Sequence, residues 1–316
     1  MITIFSSPKP FQGHIGMIQR NALASWRALG RDVEILLIGE EAGAVEAAAE
    51  FGARHLPQIE RNELGTPLLS SIFALAHTAA SHPCLCYVNA DIILLGDFLP
   101  AIRRTRERFA RFLVVGQRWD LDIREPLRFE AGWEMELRRR LEVEGELLPP
   151  TGSDYFVFPQ SMFRRLPVFA LGRAGWDNWM IFAGRREHVP VIDATEAVTD
   201  VHQIHDYAHL PGGQPHFRLP ESRRNVEIVG GRAAVFTMLD TTWRLTSAGL
   251  ERKPWDAAGA GRALEAQIYA RLGLPPLIRF ARLVLHPLDT FRYYRSAARR
   301  RLGKLLDKTR SDPARR

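Results

Sequence analysis

The stretch "CLCYVNADIILLGDF", Cys84 to Phe98, decides how this chain is read. Its apolar run is broken at Asn89-Ala90-Asp91, in the middle of what otherwise has the composition of a buried strand. A carboxylate enclosed in a core is costly unless it is paired or metal-bound. The economical explanation is that the strand ends here and that its end faces a ligand.

Outward from that point, the first half alternates strand-like and helix-like segments. "MITIF" is a β-rich run followed by the loop "SSPKPFQGH". "IGMIQRNALASWRAL" carries Ile18, Ala22, Leu23 and Trp26 at helical spacing and stops at Gly30. "DVEILLIG" reads as a buried strand, "AGAVEAAAEFG" as a helix closed by Gly52, "ARHLPQI" as a further strand, and "NELGTPLLSSIFALAHTAA" as a loop leading into a helix. Such alternation predicts an α/β fold, a mostly parallel sheet covered on both faces, with ligands outside the carboxyl ends of the strands. The second half is more mixed. "FLVVGQRWDLDI" reads as a strand entering a polar, aromatic loop, "WEMELRRRLEVEG" as a surface helix, and "PPTGSDYFVFP" as a turn and strand. "GWDNWMIFAGRRE" opens a helix, "VPVIDATEAVTDVHQIHDYAH" is a strand and then a His-rich loop, and "LPGGQPHFRLPESRRN" has the composition of a mobile loop.

Composition sets further bounds. With 46% hydrophobic and 25% charged residues, the 316-residue chain has the make-up of a soluble globular protein. Cys84 and Cys86 lie two apart, on one strand face and in poor geometry for a bridge, so they read as small core residues in a reducing compartment. No basic n-region opens the chain, and no apolar run nears the roughly 18 residues of a membrane span. A cytoplasmic protein is expected. The net charge of +7 belongs to one end: residues 271–316 carry 13 Lys/Arg against 3 Asp/Glu, the rest 30 against 33. In that tail Leu288, Phe291, Ala298, Leu302, Leu305 and Leu306 recur at helical spacing among arginines and lysines. The pattern suits a helix on the anionic inner face of a membrane, or one docked on a partner. No recognised nucleic-acid module precedes it.

The order of elements, with "YVNADIIL" after the fourth strand, resembles the GT-A fold glycosyltransferases over most of residues 1–210. That family carries a short acidic D-x-D signature at this point, and its last carboxylate holds a divalent cation that bridges the donor's phosphates. The resemblance implies a GT-A, Rossmann-like core over 1–215, and the composition beyond it reads as a mobile loop and appended segment over 216–262 and a basic amphipathic helical tail over 263–316. It implies Asp91 as cation ligand for Mn²⁺ or Mg²⁺, with Asn89 in place of the first acidic residue; a turn-capping role for Asp91 is the alternative. Ser6, Ser7, Pro8 and Lys9 would grip the nucleotide, with Asn62 and Thr66 as further donor contacts. His205 or His202 would complete the cation's shell. Asp177, at a loop-to-helix junction, would take the acceptor proton in an inverting reaction, with Asp154 as the second carboxylate. Trp119, Asp120 and Trp176 would be the acceptor contacts. Function then reads as sugar transfer from a nucleotide-diphosphate sugar to a hydroxyl of a glycan or lipid-linked saccharide. The rivals are a sugar nucleotidyltransferase, whose Gly-rich, Arg-containing loop "FSSPKPFQGH" lacks, and a degenerate GT-A-like scaffold, favoured by Asn89.

Overall fold

The computed structural model describes residues 2–206, 216–228, 231, 235–254, 260–264, 267, 268 and 284. The chain divides into two compact units, Met1–Trp255 and Asp256–Arg316, and every element named below lies in the first. The expected tail helix over 263–316 falls almost wholly outside the described residues, as do residues 207–215 of the Gly/Pro-rich loop.

Strand β1 (Ile2–Ser6) is buried throughout and pairs in parallel with β2 (Val33–Ile38), which pairs with the short β3 (Arg54–Leu56). Helices α1 (Gly13–Ala28) and α2 (Ala44–Phe51) make the crossovers. Glycines Gly43 and Gly52 at the ends of α2 take the left-handed conformation, which costs a residue without a side chain little. Helix α3 (Leu69–Ala79) then returns the chain to β4 (Cys84–Val88), on the other side of β1. All five residues of β4 are buried, because the sheet is covered on both faces there.

Beyond β4 come β5 (Ile92–Leu94), α4 (Phe98–Arg108), β6 (Leu113–Val115), β7 (Trp119–Leu121), α5 (Trp133–Glu144), β8 (Glu146–Leu147), β9 (Tyr155–Pro159), α6 (Trp176–Arg186), β10 (Val191–Asp193), β11 (Asp200–Gln203), α7 (Pro220–Ile228), β12 (Trp243–Thr246) and β13 (Gly249–Arg252). They complete a nine-stranded sheet in the order β13-β12-β10-β6-β9-β4-β1-β2-β3 and a four-stranded one in the order β5-β11-β7-β8. In the large sheet β9 and β13 run antiparallel to their neighbours, and the other pairings are parallel. The mostly parallel, helix-flanked α/β architecture expected from the alternation is therefore present. Its core joins Ile4, Trp26, Ile35, Cys86, Phe98, Val114 and Val157. Both cysteines are free and buried, and burial pushes the Cys84 thiol up to about 12, so neither is reactive. Among the described residues no helix is long and apolar enough to cross a membrane.

Three local readings change. Trp119 to Leu121 form a strand rather than a loop, and His202 lies on β11, not in a His-rich loop. These strands are only three and four residues long, too short for a period-two pattern to be legible. The segment 220–228 of the loop-like stretch is helix α7. Pro220 suits a first helical turn, but the buried positions of α7 are Glu221, Ser222 and Asn225, so no apolar stripe announces it. The sheet also runs past residue 215, since β12 pairs with β10.

Gly16 of α1 packs so closely on the loop after β1 that a β-carbon there would fall on the Phe11 backbone carbonyl. Gly16→Ala is therefore expected to lower stability by about 1–3 kcal/mol, read as a reduced urea midpoint with unchanged m-value.

Candidate active site

β1 and β4 lie side by side with Phe5 opposite Tyr87, so the chain leaves both at the same edge of the sheet. Strand order reverses between them: β2 and β3 extend the sheet on one side, β4 and β9 on the other. A reversal of this kind opens a crevice at the carboxyl ends of the strands. Ser6-Ser7-Pro8-Lys9 leaves β1 into it, and Asn89-Ala90-Asp91 leaves β4.

Asp91 is only 9% exposed. Its Oδ2 lies 3.1 Å from His205 Nε2 and 3.6 Å from Lys9 Nζ. His202 comes alongside from β11, its ring centroid 5.4 Å from that of His205. One ligand atom each from Asp91, His202 and His205 lies within 4.8 Å of the others. The Nδ1 of His202 meets Asp120 Oδ1 at 3.0 Å, and the Nδ1 of His205 meets the Asp206 carbonyl at 2.8 Å. Carboxylate and carbonyl oxygens only accept, so each Nδ1 carries a proton and a neutral ring keeps its lone pair on Nε2. One carboxylate oxygen and two imidazoles oriented by outer acceptors fit a divalent cation such as Mn²⁺. Mg²⁺, which prefers oxygen throughout, is matched less well. Burial alone would raise the Asp91 carboxyl. The contact with His205, the Lys9 ammonium and the neighbouring His202 together hold it far below the usual carboxylate range.

A second polar chain runs from the same strand end. Register across β4 and β9 sets Val88 opposite Tyr155, so residues 89 and 154 meet just beyond the ladder. The Asn89 backbone N–H donates to the Asp154 carbonyl at 3.0 Å, and its side-chain amide donates to Asp154 Oδ1. Tyr87 donates its hydroxyl to Asn89 Oδ1 at 3.0 Å. Arg118 donates from Nη1 to Asp154 Oδ2 at 2.6 Å and from Nε to Asp120 Oδ1 at 2.9 Å. Asp120 is thus shared by Arg118 and His202, against the cost of its burial, and is held below the ordinary carboxylate value. Asn89 is a working part of this network, since its amide donates to Asp154 while accepting from Tyr87, which an ionised carboxylate could not do.

Helix α1 fixes both loops. Gln19, 1% exposed, accepts from the Lys9 backbone N–H at 2.7 Å and donates to its carbonyl at 2.9 Å. Asn21 donates to Gln203 Oε1 at 2.9 Å, and Gln203 donates to the Asp91 carbonyl at 3.0 Å and to that of Ile18 at 2.7 Å. Gln19, Arg118 and Gln203 are site residues that the sequence reading misses. Gln19, like Asn21, leaves a signal there: an amide lying in sequence between Ile18 and Ala22, on a helix that packs on the core. Ser6 and Ser7 are buried at the end of β1, and their hydroxyls have no hydrogen-bond partner among the described residues.

Asp177 occupies the first turn of α6, half-buried, where a β-carbon on Gly152 would come within 2.5 Å of its Oδ2. Burial pushes its carboxyl up to about 6; the Asn178 backbone N–H pulls it down and the Asp154 charge pushes it further up. The other expected contacts have partners of their own. Asn62 closes its own turn by accepting from Thr66 N–H and donates to Glu221 Oε1 at 2.6 Å; Thr66 Oγ1 accepts from Arg173. Both are tied to α7 through the buried Arg173–Glu221 pair. Trp176 is 5% exposed, with its ring 5.1 Å edge-on to Tyr87, and Trp119 packs on the small cluster around Ile93 and Leu121. Both tryptophans pack on apolar or aromatic neighbours, Trp119 remaining partly exposed.

No protein-family model and no curated protein matches the chain. Among solved structures it is similar to glucosyl-3-phosphoglycerate synthase from Mycobacterium tuberculosis in complex with Mg²⁺ and uridine diphosphate. The identity is 13% and the TM-score 0.47, over 74% of this chain and 79% of that one. The same enzyme with Mn²⁺, uridine diphosphate and phosphoglyceric acid gives 14% and 0.46, over 72% and 77%.

Asn89→Asp, which would regenerate an acidic pair at the strand end, is expected to destabilise the protein by about 1–3 kcal/mol, because Asp154 loses its donor and gains a like charge. The loss should be larger at pH 8 than at pH 5, where one carboxyl of the new pair can protonate. Urea melts at the two pH values measure it.

Proposed function

We propose that the chain is a nucleotide-sugar-dependent glycosyltransferase, assisted by a divalent cation and inverting at the transferred sugar. The observation that carries this reading is the Asp91–His202–His205 cluster at the switch point of a mostly parallel sheet. A divalent cation there would offset the negative charge developing on a leaving nucleoside diphosphate. Ser6 and Ser7, with unpartnered hydroxyls beside β4, suit polar contacts to the nucleotide. Asp177 is the base. Its raised carboxyl sits near neutrality, where a group both loses and regains a proton readily. In the step, the acceptor oxygen attacks the anomeric carbon and its proton passes to Asp177. The bond from that carbon to the diphosphate oxygen breaks, and the electron pair leaves with the diphosphate. Asp154 is held in pairs with Asn89 and Arg118, so its part is to position the strand end and to raise Asp177. The basic tail is the sequence feature that would bring the enzyme to a glycan or lipid-linked acceptor at an anionic surface.

Incubation with UDP- and GDP-sugars and Mn²⁺, followed by chromatography of released nucleoside diphosphate, tests the assignment. Asp91→Ala is expected to abolish Mn²⁺-dependent release and nucleotide binding. Asp177→Asn should lower kcat by about 10²–10⁴ while leaving nucleotide affinity within a few-fold. Because the base must be deprotonated, wild-type turnover should fall as pH drops through about 6, and that limb should be missing from the residual activity of Asp177→Asn. A chain that binds no nucleotide and releases none from any donor would be a scaffold instead.

A further inference from the structure

The ammonium of Lys9 stands inside the donor set just described. Its Nζ lies 3.2 Å from His205 Nε2 and 3.6 Å from Asp91 Oδ2, two of the atoms that would hold a cation. The backbone of Lys9 cannot carry it away, since Gln19 grips both its N–H and its carbonyl. The side chain can: it is 33% exposed, against 12% for the side chain of Asp91. A divalent ion on Asp91 and His205 would sit within a few ångströms of that ammonium, where like charges repel strongly.

We propose that Lys9 is a built-in counter-ion of the Asp91 centre that couples cation binding to diphosphate binding. Without nucleotide, the ammonium neutralises Asp91 and occupies the His205 lone pair, so a divalent ion binds weakly. When a diphosphate arrives, its oxygens offer the ammonium a better partner. Lys9 turns out to them, and the carboxylate and imidazole are released to the metal. Cation and diphosphate then bind with positive cooperativity, and by linkage each raises the affinity of the other equally. The inference rests on the cation centre proposed above and goes beyond it by assigning one residue to the coupling.

The test is Mn²⁺ titration followed by the electron paramagnetic resonance signal of the free ion, with and without saturating UDP. Wild type, Lys9→Met, Lys9→Arg and Asp91→Ala are compared. Lys9→Met is expected to bind Mn²⁺ alone about tenfold more tightly than wild type, with a correspondingly smaller gain on adding UDP. Lys9→Arg, which keeps the charge, should stay near wild type in the absence of UDP. If Lys9→Met binds Mn²⁺ no more tightly than wild type while Asp91→Ala loses the site, the coupling role is overturned and the cation centre stands. If Asp91→Ala binds Mn²⁺ as wild type does, the centre itself falls and the role of Lys9 with it.

Discussion

Asp91 imposes the constraint to which the surrounding structure responds. It is a carboxylate closed in at the end of a buried strand, with Asp154, Asp120 and Asp177 on the neighbouring segments. Uncompensated, such a group would take up a proton. Asp200, one strand away on β11, shows that outcome: it is fully buried, neither of its oxygens has a partner among the described residues, and burial drives its carboxyl far above the ordinary range. Asp91 goes the other way because Lys9 and His205 reach it. The charge of Asp154 and Asp120 is met in turn by Arg118, set between them. The site is a negotiated balance of carboxylates and cations, and each member's charge state depends on the partner beside it.

That balance depends on backbone placement, and helix α1 supplies much of it. Two buried amides of this helix, Gln19 and Asn21, hold the segments after β1 and β4 at once, the second through Gln203. Side-chain to backbone bonds of this kind satisfy loop N–H and C=O groups that have no ladder partner. They also refer the two loops to one another, because both are anchored on the same helix.

The alternating first half of the chain was legible because long, strongly apolar strands alternate with helices whose periodicity is clear, from Ile2 to Val88. The strand-end carboxylate was legible for the same reason: Asp91 interrupts a pattern that is otherwise unbroken. What stayed hidden was built from short or polar segments. β7 and β11 have too few residues to show a period, α7 buries Glu221, Ser222 and Asn225, and Arg118 looks like any surface arginine until the register of β9 brings Asp154 to it. Trp119 and Trp176 illustrate the converse. An aromatic residue near polar neighbours in sequence reads equally well as a ligand wall or as packing, and only the structure brings the rings of Tyr87 and Phe156 against Trp176.

Helix α7 is fastened to the body largely by polar contacts: the buried Arg173–Glu221 pair, the amide of Asn225 on Ala170, and Ser222 on the Ala174 N–H. Detaching it would uncover little apolar surface, and denaturant sensitivity follows the surface exposed. Its opening therefore has a different currency from that of the sheet. Hydrogen exchange in α7 should proceed through a local event nearly indifferent to dilute urea, while the amides of β4 exchange only with the global transition. The protein thereby carries, on a buried sheet, an element that can come and go without loosening the core beneath it.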